Sequence, residues 1–456
     1  MIKPNGSKLK IFMIADDPRI FSGVGTCTNR ISRAFIKEGW ETVHIAGAVK
    51  HPNLEPVIDD IGRKIIPVNG YGDLFLVREI IKREQPDVMW IMTDPRYWVW
   101  LWEFEDEIRT KMPLMYYHVW DDNPVPKYNY NYYNSCDSIL SISKLTQNIV
   151  DTCKRETNAT FSSIYCPHGI DLNIYKIIAE DEQFTNVLGE AEWEHGDKKA
   201  EKPEPITLKE FKQRIREQCS GWSEDINTID FIVFWNNRNI RRKQGSMLME
   251  AFNKFVSQGN KKDCALLMHT DISDEHGTDF AAVRDVLFPK APIVLFPFKI
   301  PDDELVRFYN SCACSVNIGS NEGFGLSSAE SLACGVPVIN NMTGGLQDQM
   351  FVDNDETKPC GIPIYPATRI LQGSPPTPYI YDDPVNTDDL AAKLQEMYDA
   401  YMNRETDPRY YSWKKNAREL AEKQFNNELM CQIQVDEVKR LVDEWEPRKR
   451  WLIKEL

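Results

Sequence analysis

With 456 residues the chain is too long for one hydrophobic core, and at about 150 residues per domain it points to two or three domains. Charged residues at 27% and hydrophobic ones at 42% are ordinary globular values, which exclude a disordered or fibrous chain. A formal charge of -15 excludes a surface that is a general phosphate-backbone binder and leaves room only for a local basic groove.

The first ten residues, MIKPNGSKLK, lack the apolar core of a secretion signal, and no window approaches the run of about 20 apolar residues that spans a bilayer. The 11 cysteines are spread without a CxxC pair or a His/Cys cluster at zinc spacing, so they read as free thiols of a reducing compartment. The expectation is a cytosolic protein without a structural metal.

Apolar strands alternate with amphipathic helices, the signature of parallel βαβ units. IFMIAD (11–16) reads as a buried strand, followed by a glycine-containing loop, a helix from Cys27 to Lys37 and a second strand, ETVHIAG. Further strands are expected at 87–94, 114–120 and 137–143. From 174 to 226 the pattern gives way to a charged insertion that runs into a short helix, FKQRIREQC. A second alternating series begins with DFIVFWNN (230–237) and continues through CALLMHTD, PIVLFPF, CSVNIG and VPVIN. The expected domains are therefore 1–173, the insertion 174–226, and 227–431, with a C-terminal helix (432–456) completing the first. The fold class is α/β, two Rossmann-like doubly wound parallel sheets.

Several segments carry groups suited to chemistry. Gly23 and Gly25 stand in the loop between the first strand and the first helix, where they serve either a ligand's approach or turn geometry alone. His118, near the end of a strand, sits where open α/β sheets place ligand-binding groups, and is equally readable as a satisfied core histidine. Arg238 and Lys243 follow the 230–237 strand five residues apart and are placed to converge on one anion; a basic loop is also ordinary solvated surface, and Arg241 and Arg242 stand beside them. In SNEGFGLSSAESLACGVPVIN (320–340) a strand ends, a glycine turn follows, and a small-residue helix begins after Gly325. Gly323 and Gly325 let a ligand approach, and free N–H groups near Leu326 and Ser327 suit a diphosphate. Glu322 and Glu330 flank that position, placed to accept hydrogen bonds from a sugar and from a ribose diol respectively.

The pattern E-G-F-G-L-x-x-x-E followed by A-C-G-x-P-V-I resembles the E-x7-E signature of retaining family 4 glycosyltransferases of the GT-B type, with Gly323, Phe324, Gly325, Gly335 and Pro337 matching around the two glutamates. RNIRRKQG resembles that family's R-x4-K-G, with Gln244 inserted before Gly245; CPHGIDLNIY resembles its P-[NH]-G-[VI]-D, and TGGLQDQM its G-G-x-x-E loop, with Asp348 in place of Glu. Ser22 stands where many members have another glycine, and Gly319 where many have serine. The resemblance runs in order from Ile11 to about Phe425, apart from the insertion.

It implies two Rossmann-like domains facing a cleft, a nucleoside diphosphate sugar as donor, retention of anomeric configuration, and no metal or other cofactor. It assigns Arg238 and Lys243 to the diphosphate, Glu322 to the sugar, Glu330 to the ribose, and His118 to a place beside the reaction centre. The acceptor stays open between a saccharide, a glycolipid and another small hydroxyl compound. YNYNYY (128–133) and RKRW (448–451) keep hydroxylated DNA bases as an alternative, and a non-catalytic nucleotide-sugar binder is a further one.

Overall fold

Uninterrupted apolar runs become strands covered on both faces, and KIFMIAD does so as β1 (Lys10–Asp16), with every residue after Lys10 buried. The computed structural model describes residues 8–20, 22–185, 205–222 and 225–448. They belong to two units. The first comprises Met1–Gly169, Leu371–Tyr381 and Phe425–Leu456, the second Ile170–Ile370 and Asp382–Gln424.

In the first unit β1 is joined by β2 (Glu41–Gly47), β3 (Val57–Ile58), β4 (Lys64–Pro67), β5 (Val88–Thr93), β6 (Leu114–His118), β7 (Ser138–Ser141) and β8 (Ser162–Tyr165). The sheet order is β3, β4, β2, β1, β5, β6, β7, β8. Only β3 and β4 pair antiparallel. The chain builds outward from β1 to one side and then returns to start β5 on the other, so the winding reverses between β1 and β5. At such a point two loops diverge from the C-terminal strand ends and leave a crevice for a ligand.

The second unit repeats the plan. β9 (Gln183–Thr185) and β10 (Pro205–Thr207) form a small antiparallel pair. β11 (Phe231–Asn236), β12 (Cys264–His269), β13 (Ile293–Phe296), β14 (Cys314–Asn317), β15 (Val338–Asn341) and β16 (Gly361–Ile364) form an all-parallel sheet in the order β13, β12, β11, β14, β15, β16. Here the winding reverses between β11 and β14. Trp235, Phe252, Phe255, Leu266 and Trp413 help fill the core that fixes this sheet to its helices.

Three segments depart from the expected outline. The first helix begins at Gly23 rather than near Cys27, because Ser22 takes the N-cap and its hydroxyl accepts the Gly25 N–H. The short helix expected in the charged stretch starts at Leu208 rather than Phe211: Thr207 and Glu210 form a capping box that opens the Leu208–Glu217 helix, and Phe211 meets Phe308 edge-on at 5.1 Å. The middle of that stretch, 186–204, lies outside the described residues. The hairpin of β17 (Ile370–Ser374) and β18 (Thr377–Asp382) carries residues of the first unit, where the Tyr379 ring meets Tyr128 at 4.9 Å and its hydroxyl accepts the Lys127 N–H at 3.0 Å.

The Asn427–Glu444 helix belongs to the first unit: Gln434 Oε1 accepts the Trp90 indole N–H at 2.9 Å, and Glu437 accepts the Ser162 hydroxyl at 2.8 Å. Gly169 must stay glycine there, since a Cβ would stand 2.4 Å from the Asn427 backbone. All 11 cysteines are unbridged. Among the described residues no helix is long and apolar enough to cross a membrane.

Candidate functional site

The reversal between β11 and β14 gathers most of the charged groups singled out in the sequence. After β11 the chain leaves as a loop and tightens into a 3-10 turn over Arg241–Lys243, which swings two cations toward the loop that follows β14. Lys243 Nζ pairs with Glu322 Oε2, and both side chains are nearly buried. Arg242 Nη1 donates to the Asn321 carbonyl at 2.8 Å and approaches the same Glu322 oxygen at 3.2 Å. Burial alone would raise the Glu322 pKa; the charges of Lys243 and Arg242 outweigh it, and the net effect is a carboxylate held below its usual range.

Arg238 is elsewhere. Its guanidinium is 62% exposed and pairs with Asp274 at 3.1 Å. Arg238 and Lys243 are thus not brought together here: the 3-10 turn places Arg242 beside Lys243, while Arg238 pairs with Asp274. Gln244, the residue that interrupts the R-x4-K-G pattern, adopts φ 54° and ties the two loops, its amide donating to the Ile318 carbonyl while its oxygen accepts the Val385 N–H at 3.3 Å.

Beyond Glu322 the chain turns through Gly323, Phe324 and Gly325 into the Leu326–Ala333 helix. Gly325 is required twice over: its φ is +96°, and a Cβ would stand 2.5 Å from Leu346 Cδ2. Behind the turn, Gly345 donates its N–H to the Glu322 carbonyl at 2.8 Å, and Gln349 donates to the Phe324 carbonyl at 2.7 Å, so the TGGLQDQM loop buttresses the glycine turn.

The helix has no side-chain cap and no acidic residue in its first turn, which leaves the amides around Leu326 and Ser327 to an outside acceptor. Glu330, one turn further, accepts the Tyr309 hydroxyl at 2.8 Å. The result is an uncapped helix start with cations on one side and a carboxylate at either end, an arrangement suited to a diphosphate that carries hydroxyl-bearing groups at both ends.

The corresponding place in the first unit is built differently. Ser22 Oγ accepts the Gly25 N–H at 2.9 Å and donates to Asp16 Oδ2 at 2.9 Å, while the Tyr71 hydroxyl donates to Asp16 Oδ1 at 2.7 Å. Burial raises the Asp16 pKa, and the bonds from Tyr71 and Ser22 only partly offset it. Gly25 has no room for a side chain, since a Cβ would lie 2.8 Å from the Ile20 carbonyl oxygen, so Gly23 and Gly25 open a helix that Ser22 already caps.

His118 ends β6 as expected but is 0% exposed. Its ring meets Tyr133 at 4.9 Å, Nε2 bonds to the Tyr133 hydroxyl at 3.0 Å, and burial lowers its pKa to about 3, so it is neutral. The ring packs within the aromatic core of this unit, and its Nδ1 is buried without a hydrogen-bond partner. Of the tyrosine run, Tyr133 is wholly buried, while the half-buried Tyr132 stacks on Trp102 at 5.6 Å and the half-buried Tyr128 packs on Trp120 and Tyr379. Arg448 pairs with Glu105 and Asp106, and 449–451 lie outside the described residues.

A pocket of 380 Å³ opens beside the ends of β1 and β2, lined by groups that include Asp17, Arg19, Lys50 and His51, which no sequence motif had marked.

Comparison with known proteins bears on the same segment. Residues 289–362, which hold both motif glutamates, match the family Glycosyl transferases group 1. A D-inositol 3-phosphate glycosyltransferase of Acidothermus cellulolyticus is 41% identical over 56 residues, a stretch that spans only 12% of this chain and 12% of that relative. Among solved structures, a glycosyltransferase from Rickettsia africae superposes with a TM-score of 0.65 at 16% identity, covering 96% of this chain and 99% of its own. Anabaena HepE in complex with UDP and glucose gives 0.64 at 14% identity, covering 95% and 100%. At such identities the likeness shows the fold, and it is the GT-B fold over almost the whole chain.

Proposed function

We propose that the chain is a retaining, family 4 type glycosyltransferase that moves a hexosyl or pentosyl group from a nucleoside diphosphate sugar to a hydroxyl of a saccharide, glycolipid or other small acceptor, in the cytoplasm and without a metal ion. The observation that carries the reading is the buried Lys243–Glu322 pair, flanked by Arg242, beside an uncapped helix whose next turn bears Glu330. The group 1 match over this segment and the UDP-bound state of HepE support it.

On this reading the donor divides the pair. The diphosphate takes Lys243, Arg242 and the N–H groups of Leu326 and Ser327, while Glu322, released from the lysine, accepts a sugar hydroxyl and Glu330 accepts from the ribose. Arg238 is free to join the diphosphate only by leaving Asp274. The acceptor oxygen attacks the anomeric carbon on the face from which the diphosphate departs, the bond between that carbon and the diphosphate oxygen breaks, and the acceptor proton passes to the departing diphosphate. Catalysis is then positioning and charge stabilisation.

The test is donor turnover in the presence of EDTA, using a panel of UDP-, GDP-, ADP- and dTDP-sugars, with the anomer of the released or transferred sugar read by proton NMR. The reading expects one donor to be consumed with retention, and Glu322→Gln to lose on the order of 10²-fold or more in kcat. Turnover that requires a metal, or an inverted product, would overturn the corresponding part, and a panel with no consumption in any member would overturn the whole.

A further inference from the structure

Glu330 stands at the end of a chain of polar groups that the motifs leave out. The Tyr309 hydroxyl, on the Asp302–Ser311 helix, donates to Glu330 Oε2 at 2.8 Å, and Asn236 Nδ2, at the end of β11, donates to that hydroxyl at 3.0 Å. Asn236 Oδ1 faces His269 Nδ1 at 2.8 Å, and His269 Nε2, at the end of β12, faces the Phe298 carbonyl at 2.7 Å. The links tie four elements of one unit to one carboxylate.

Proton counting decides what this chain does. A carbonyl only accepts, so Nε2 must carry a hydrogen toward Phe298. When Nδ1 also carries one, it donates to Asn236 Oδ1, Asn236 donates to the Tyr309 oxygen, and the Tyr309 O–H is left for Glu330. When Nδ1 is bare, the Asn236 amide turns to offer it an N–H, since the two ends of an amide exchange at little cost in shape. The Asn236 oxygen then faces Tyr309 and takes the O–H away from Glu330. Tyr309 itself stays protonated, because burial and then the Glu330 charge hold its pKa well above the usual range.

We propose that His269, acting through Asn236 and Tyr309, is a positioning residue that orients Glu330 for the ribose hydroxyls of the bound nucleotide. The inference rests on the transferase reading above. Its consequence is a nucleotide affinity that responds to protonation of His269. Burial holds that ring below the usual histidine range, while the Phe298 carbonyl and the charge of Asp271 favour the protonated form; Tyr309 and Glu330 are the titratable groups at the other end of the chain. Proton uptake therefore strengthens ribose binding, and the effect grows below the ordinary histidine pKa of 6.5.

The experiment is calorimetric binding of UDP, GDP and ADP, and of their 2′,3′-dideoxy forms, to the full chain at acidic and alkaline pH. The ratio of ribo to dideoxy affinity cancels titration of the phosphates. That ratio is expected to rise as pH falls in the wild type and to be flat in His269→Leu. Tyr309→Phe is expected to lower it by about tenfold, the worth of one hydrogen bond to a charged group, and to add nothing in a Glu330→Ala background. Equal loss for ribo and dideoxy forms in Tyr309→Phe, or a pH-independent wild-type ratio, would overturn the inference while leaving the transferase reading intact. Failure of every nucleoside diphosphate to bind the wild type would remove that reading and this inference with it.

Discussion

The two sheets reverse their winding at equivalent places, yet the helix that follows is capped by a side chain in one and not in the other. In the first unit the helix after β1 is capped by Ser22, whose hydroxyl also engages Asp16, and the histidine at the end of β6 is sealed against Tyr133. In the second unit the helix after β14 has no cap, and two cations and two carboxylates surround its start. Topology makes the crevice in both, and what differs is whether a side chain caps the helix start there.

The largest effect expected from this contrast concerns Glu322. Glu322→Ala removes the carboxylate that pairs with the nearly buried Lys243 ammonium, and urea unfolding should show a loss of about 3–5 kcal/mol, more than any single polar change around Asp16. A loss below about 1 kcal/mol would mean that the pair is already hydrated and the contrast overstated.

Acid distinguishes the units next. His44, His118 and His168 all lie in the first unit, and burial lowers each to about 3. A folded pKa below the unfolded value of 6.5 gives stability that is fully present above pH 6.5 and lost as pH falls toward 3, at up to about 1.4 kcal/mol per pH unit for each ring. The contribution of Glu322, whose pKa is also lowered, is present above its ordinary value of 4.5 and disappears only below it. Hydrogen exchange along an acid titration should therefore find amides of the first sheet losing protection before those around β14; the reverse order would break the comparison.

Smaller effects sharpen it. Gly325→Ala forces a side chain into a left-handed turn and against Leu346, and should cost more than about 1 kcal/mol along with nucleotide binding. Ser22→Ala removes the cap and one hydrogen bond to Asp16 and should cost about 1–2 kcal/mol in thermal unfolding with nucleotide affinity unchanged. A drop in affinity for Ser22→Ala would mean that the first unit's helix start also meets the donor.

The central strands of both sheets were legible because parallel strands buried on both faces read as continuous apolar runs, and 11–16, 230–237 and the others fell within a residue or two of β1, β11 and their neighbours, whereas β3, β4, β8 and β16, two to four residues long, were not expected. The glycine turn and the two motif glutamates were legible from spacing. Which cation would meet Glu322 was not, because Arg238, Arg241 and Arg242 are chemically alike and only the hand of a three-residue turn selects among them. The burial of His118 was not legible for a related reason: a strand end predicts where a side chain starts, and its burial depends on Tyr133, which arrives from another element. Tyr309, Asn236 and His269 gave no signal at all, since three common residues far apart in sequence meet only once the sheet has formed.

The most direct test of the central claim is calorimetric titration of UDP, GDP, ADP and dTDP in EDTA against the wild-type chain, Lys243→Met and Ser22→Ala. The account predicts that one nucleotide binds without metal, that Lys243→Met abolishes the binding, and that Ser22→Ala leaves it unchanged. Binding that survives in Lys243→Met would contradict it, because the anion would then be held somewhere other than between β11 and β14.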